Sequence, residues 1–307
     1  MDSGQPLRNV SDTALWVAIY RAMESERPDA IFRDTFARRL GGTRGEQIVA
    51  GLPKGSSFAW PMIVRTAVMD EIIVRIVHQD GARTVLNLAA GLDMRPFRLD
   101  LPRTLRWLHV DLPEMIEYVR SRLDRAAPNC ELEFIAADLR NPDERTGLLT
   151  RVASGPSPTL AVTEGLLIYL QPEQVAALAT SLASTAGIRW WLIDLASPRL
   201  IKMLAKRWEP HLAAANAPFV FAPAEGTAFF ERLGWREAGY YSVWEEANRL
   251  GRAPRGSWFW GLLGRLMPRA KREEFRRMSG IVLLERVGLS NDGHADKADG
   301  YANRSPR

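Results

Sequence analysis

The chain has 307 residues, 46% hydrophobic and 25% charged, a balance that excludes collagen-like and disordered architectures and supplies a sizeable core. Its formal charge of +5 is the margin of 41 basic over 36 acidic residues spread along the chain, which argues against a nucleic-acid partner. A single cysteine, Cys130, excludes a disulfide framework within the chain, and no apolar run approaches the ~18 to 20 residues of a membrane span.

The first residues, "MDSGQPLRNVSD", lack the charged start and apolar middle of a signal peptide, so the expected setting is cytoplasmic without stable membrane insertion. Residues 1 to 80 read as a helical cap. "SDTALWVAIYRAMESE" opens on the candidate caps Ser11 and Asp12, puts Leu15, Ile19, Ala22 and Met23 on one face, and ends by Pro28. A short helix is expected after Asp34, closed by Gly41 and Gly42, and "MIVRTAVMDEIIVRIVHQDG" reads as a long amphipathic helix ending near Gly81.

From residue 84 the texture changes to short apolar runs: "TVLNL", "LRWLHV", "LEFIAA", "TLAVTEG" and "WWLIDLA". Their length and spacing predict a doubly wound α/β sheet, parallel, with helices on both faces. The polar segments "RNPDERTGL" and "ASGPSPT" read as its loops. Residues 197 to 278 read as insertions on the substrate side, starting with a helix at "SPRLIKMLAKRWEPHLAAA" and returning to the sheet between "FFERLGW" and "YYSVWEE". "RAKREEFRR" at 269 to 277 reads as a solvated helix face, and Trp258, Phe259 and Trp260 as core packing, a cover for an apolar substrate or a membrane-surface face. "SGIVLLERV" reads as the last strand and residues 288 to 307 as a disordered tail.

In such sheets ligands sit beyond the carboxyl ends of the strands. "NLAAGLD" supplies a small-residue turn there, and Asp111 follows Asn87 by 24 positions, near the ~20-residue offset at which a carboxylate meets a ribose hydroxyl. The turn has one glycine, Gly91, without the GxGxxG pattern or a P-loop lysine, which favours a ribose-bearing cofactor free of phosphates over a dinucleotide.

"VLNLAAGLDMRPFRL", "HVDLPEMIEYVRSRL", "TEGLLIYL" and "ESERPDAIFRDTFARRL" resemble, in order, motifs of the leucine carboxyl methyltransferase family and its bacterial branch of polyketide O-methyltransferase-like proteins, over roughly residues 12 to 287. The resemblance implies a class I S-adenosyl-L-methionine-dependent methyltransferase with a Rossmann-like seven-stranded sheet whose last strand is antiparallel. It also implies that Arg65 pairs with the methionine carboxylate and that Ala90 and Gly91 approach the cofactor by backbone. Asp111 and Leu112 would meet the ribose, Asp138 and Leu139 would frame the adenine, and Glu164 would line the pocket. Ala89 stands where many relatives have Gly, which is harmless if its φ is negative. A lysine that contacts the cofactor in eukaryotic members has no counterpart, since Arg21 is out of register.

Methyl transfer needs alignment and exclusion of water rather than a metal or covalent intermediate. A carboxylate acceptor arrives ionised, whereas a phenol or indole carbon gains from a base, for which Tyr169 and His211 are candidates. His109 reads as a satisfied, partly buried histidine. The implied partner is a small-molecule methyl acceptor, polyketide-like or aromatic; a nicotinamide oxidoreductase and a cofactor-binding scaffold are the alternatives.

Overall fold

The computed structural model describes residues 11–52, 55, 59–204, 219–254, 256 and 267–288. The apolar runs assemble into one sheet of order β3-β2-β1-β4-β5-β7-β6. Its strands are β1 (Thr84–Leu88), β2 (Arg106–Asp111), β3 (Glu131–Ala136), β4 (Thr159–Thr163), β5 (Ile188–Ala196), β6 (Trp235–Ser242) and β7 (Ser279–Arg286). β1 to β5 pair in parallel, and β7 runs antiparallel to both β5 and β6, as the sequence leads one to expect. The strand order reverses between β1 and β4, which opens a crevice beyond their carboxyl ends.

Both faces of the sheet are covered, which is why β1 and β4 are buried along their whole length, with three of five residues apolar in each. On one face Leu86, Leu108, Trp191 and Ile193 pack against α6 (Pro142–Ala153) and α7 (Pro172–Ser184), which follow α4 (Arg95–Arg98) and α5 (Pro113–Arg120) in the chain. On the other, Val85, Trp107, Leu160 and Leu192 pack against α3 (Ala59–His78). Each of these side chains contributes roughly 1.5 to 3 kcal/mol by leaving water. Trp191 and Trp235 also satisfy their indole N–H groups, on Thr163 Oγ1 at 3.1 Å and Ala179 O at 3.0 Å.

One local expectation is corrected and one is borne out. The polar "RNPDERTGL" is no loop: Asn141 caps α6 by accepting from the Asp143 amide, Pro142 occupies the first turn, and Leu148, Leu149 and Val152 are buried. Tertiary burial of three apolar residues outweighs the polar start. Gly41 and Gly42 do close a short helical stretch after Asp34, and a second stretch begins beyond them. After α1 (Ser11–Ser25), α2 runs Ala37–Gly51 through a kink at Gly42, whose φ is 55°. A Cβ on Gly41 would lie 2.6 Å from Ile19 Cδ1 and one on Gly45 2.8 Å from Leu15 O, so these glycines serve the close crossing of α1 and α2.

The helix at 269–276 buries none of its residues, matching a solvated basic face. Residues 198–204 are helical; the rest of that expected helix, Trp258 to Trp260 and residues 289–307 lie outside the described residues. Among the described residues no helix is long and apolar enough to cross a membrane.

Candidate active site

A cavity of about 730 Å³ opens at the carboxyl ends of β1, β2, β4 and β5. Arg65, Ala90, Gly91, Asp111, Leu112, Asp138, Leu139, Glu164 and Tyr169 all line it, although they are scattered over a hundred positions of sequence. His211 lies outside the described residues.

At one end the turn after β1 is fastened to β2. Asp111 accepts the Gly91 amide on Oδ2 at 2.6 Å and the Leu112 amide on Oδ1 at 2.7 Å. Each oxygen keeps a further lone pair for a ligand hydroxyl. Burial raises the Asp111 carboxyl, against the lowering effect of these two amides. The turn is left-handed at two points, Gly91 with φ 53° and Ala89 with φ 50°. The condition under which Ala89 would be harmless therefore fails: a non-glycine residue here carries roughly 1 to 2 kcal/mol of backbone strain.

His109 supports the same turn from beneath, its Nε2 lying 3.2 Å from Gly91 O. It is fully buried against Phe134 rather than partly exposed, and Nδ1 has no hydrogen-bond partner among the described residues, so it is only half satisfied. Burial pushes its imidazole down to about 4, outweighing the opposing pull of Asp93.

At the other end lies a network of ion pairs. Arg65 donates from Nε to Glu164 Oε1 and from Nη1 to Asp194 Oδ2, both at 3.0 Å. Arg95, 2% exposed, donates from Nε to Asp70 at 2.6 Å and from Nη1 to Asp93 and Glu164, each at 2.7 Å. Burial would raise the Glu164 carboxyl, but Arg95 and Arg65 outweigh it and hold the group at about 2. Asn87 joins the network by donating to Asp93 at 2.8 Å.

Asp138 sits nearer solvent, paired with Arg140 Nη2 at 2.8 Å, which holds its carboxyl below the usual range. Tyr169 is hydrogen-bonded to Thr13, and its ring lies 5.7 Å from that of Phe219. Burial pushes its phenol up to about 12, so at neutral pH it is a hydrogen-bond donor and a wall rather than a base. Around it Trp16, Val17, Met62, Ile168, Leu204 and Phe219 make the lining apolar.

Sequence reasoning missed Asp194, Arg95, Asp93 and Asn87. A signal existed for Asp194, the lone acid inside the apolar run "WWLIDLA". Arg21, set aside on register, also lines the cavity, bonded to Asp34 at 2.9 Å and to Leu92 O at 2.6 Å.

Comparison with known proteins bears on the family and the fold. The family model for leucine carboxyl methyltransferase matches residues 14–183. A protein of Streptomyces coelicolor, provisionally named an S-adenosyl-L-methionine-dependent methyltransferase, is 32% identical over 78% of this chain and 87% of its own length. One from Streptomyces avermitilis with the same provisional name is 31% identical over the same shares. The crystal structure of a DUF574 family protein from Streptomyces avermitilis superposes with a TM-score of 0.58 over 88% of this chain and 96% of its own, at 14% identity. That likeness concerns the fold alone. A Rossmann-like sheet ending in an antiparallel strand, an acid-braced turn without phosphate machinery and the match over 14–183 lead to one assignment: this chain is a methyltransferase of the leucine carboxyl methyltransferase family.

Proposed function

We propose that the chain moves a methyl group from S-adenosyl-L-methionine to an oxygen of a small molecule, and that this oxygen belongs to a carboxylate on an apolar or aromatic body. The observation that carries the reading is the polarity of the cavity, with the Asp111 carboxylate and a turn of exposed backbone at one end and the Arg65 guanidinium at the other. A nucleoside amino acid has the matching order: ribose hydroxyls for Asp111 and a carboxylate for Arg65. No phosphate needs to be seated, in keeping with the single glycine of the turn.

In this reading Ala90 and Gly91 approach the donor through backbone, Leu112 packs beside the ribose, and Asp138 and the Leu139 amide frame the adenine. Glu164 fixes Arg65 and Arg95 rather than reacting. When bound, the donor supplies a sulfonium methyl open to in-line displacement by an acceptor oxygen. The chain aligns that oxygen and keeps water out, using the apolar wall of Trp16, Met62, Tyr169 and Phe219.

The carboxylate acceptor is favoured because a base is hard to find. Among the described residues no histidine, cysteine or lysine lines the cavity, Tyr169 holds its proton up to about 12, and Glu164 at about 2 is too weak a base. A carboxylate needs none, since it arrives ionised. The setting in this reading is the cytoplasm, with which a single cysteine is compatible.

The test is calorimetric titration with S-adenosyl-L-methionine, followed by turnover with a carboxylic acid and a phenol of the same aromatic body. Expected is binding, with turnover of the acid that is level with pH above about 6. Turnover of the phenol alone, climbing toward its pKa near ~10, would instead assign a phenol acceptor.

A further inference from the structure

The network at the α3 end contains a residue whose place the methyl-donor reading leaves unexplained. Asp194, on the last parallel strand, uses its two carboxylate oxygens on two different elements. Oδ1 accepts the Gly165 amide at 2.7 Å, and Oδ2 accepts Arg65 Nη1 at 3.0 Å. Gly165 lies between them with a φ of 67°, and a Cβ there would stand 3.2 Å from Arg65 Nη1 and 3.5 Å from Nη2. A side chain at this position would crowd the guanidinium, and the positive φ would strain it.

A guanidinium tied at Nε alone keeps freedom to turn about its last side-chain torsion. Glu164 provides the tie at Nε and Asp194 a second at Nη1, and two ties fix the plane. Of its five N–H groups, two are then used among the described residues, which leaves three on Nη1 and Nη2 for a ligand. Bidentate capture of a carboxylate depends on such a fixed plane.

Resting on the methyl-donor reading, we infer that Asp194 is a positioning residue: with Gly165 it sets the plane in which Arg65 meets the carboxylate of the donor, and it acts through Arg65. This assigns Asp194 to recognition of the amino-acid half of the donor and to no part of its adenosine half.

The experiment compares two nucleosides by calorimetry, S-adenosylhomocysteine, which carries the amino-acid carboxylate, and 5′-methylthioadenosine, which lacks it. The proteins are the full chain and its Asp194→Asn, Arg65→Ala and doubly substituted variants, with folding checked by circular dichroism. Asn keeps the shape, and with its one oxygen accepting the Gly165 amide it turns its NH2 group, a donor, toward Arg65. Asp194→Asn is expected to weaken S-adenosylhomocysteine about tenfold, the scale of one charge-assisted contact, while leaving 5′-methylthioadenosine within about twofold. In the Arg65→Ala background the same change is expected to have no further effect on either ligand.

Equal weakening of both nucleosides would mean a merely structural role and overturn the inference. Further weakening in the Arg65→Ala background would mean that Asp194 touches the ligand itself, and would overturn it equally. Wild-type protein that binds neither nucleoside overturns the methyl-donor reading, and this inference with it.

Discussion

At the β2 end of the cavity Asp111 is held by the amides of Gly91 and Leu112, 20 positions and one position away, whereas at the α3 end Arg65 is held by Glu164 and Asp194, 99 and 129 positions away. The first end is a backbone device. Its partners are amides, present whatever the side chains, and its geometry follows from two adjacent strands and the turn between them. The second is a side-chain device, in which every partner is a charge that another element must deliver. Backbone devices tolerate substitution nearby and carry strain in φ; charge networks are unstrained but fail when one member is removed.

The largest difference between the ends is expected on deleting a central cation. Arg95→Ala leaves Asp70, Asp93 and Glu164 facing one another with one guanidinium fewer, and removing a partner from a buried pair costs about 3 to 5 kcal/mol. Urea unfolding should show the midpoint falling accordingly. An unchanged midpoint would mean that the network is solvated and that the contrast between the two ends is false.

Acid titrates the two ends in different windows. His109 under the turn has its imidazole lowered from 6.5 to about 4, so between these values the unfolded chain binds a proton that the folded chain refuses. Its contribution is complete above pH ~6.5 and declines as pH falls to ~4. Glu164 is lowered from 4.5 to about 2, and its contribution is complete above ~4.5 and lost as pH falls toward ~2. Stability measured by urea at successive pH values should therefore decline in two stages. His109→Phe should flatten the upper stage and Glu164→Gln the lower; a single stage removed by either change would merge the two regions into one.

A smaller effect is expected at Asp111. Asp111→Ala strips the Gly91 and Leu112 amides of their acceptor and costs about 1 to 3 kcal/mol of stability. It should also weaken S-adenosylhomocysteine and 5′-methylthioadenosine alike, because both carry the ribose. Selective weakening of one nucleoside would contradict the assignment of this end to the adenosine half. The least effect, with opposite sign, belongs to Ala89→Gly. Relief of the left-handed strain at φ 50° is partly cancelled by the greater freedom of glycine in the unfolded chain, leaving a gain of about 0.5 kcal/mol in thermal unfolding. A loss would show that the methyl group of Ala89 packs usefully.

How much of this was legible follows the same division. Asp111 could be found because strand, turn and strand are consecutive and the carboxylate falls at a fixed offset. Arg95 stands in "GLDMRPFRL" two positions after Asp93, yet nothing in that stretch points to Glu164, 69 positions on. The helix α6 was hidden for a related reason: its buried Leu148, Leu149 and Val152 follow a polar first turn, and only packing on the sheet makes that turn a cap rather than a loop.

The amino-acid sequence by itself determined the strands, the turn without a GxGxxG pattern and the place of Asp111, which rest on periodicity and on spacings within one supersecondary unit, and the family, which rests on the resemblance of four motifs in order. Only the tertiary structure decided which charges meet. Asp194, Glu164, Arg65 and Arg95 come from β5, the end of β4, α3 and the short helix Arg95–Arg98 after β1, and they are neighbours because the strand order places β1, β4 and β5 side by side. The sign of φ at Ala89 was decided there too, because a backbone torsion is set by the ends it must join and not by the residue that bears it.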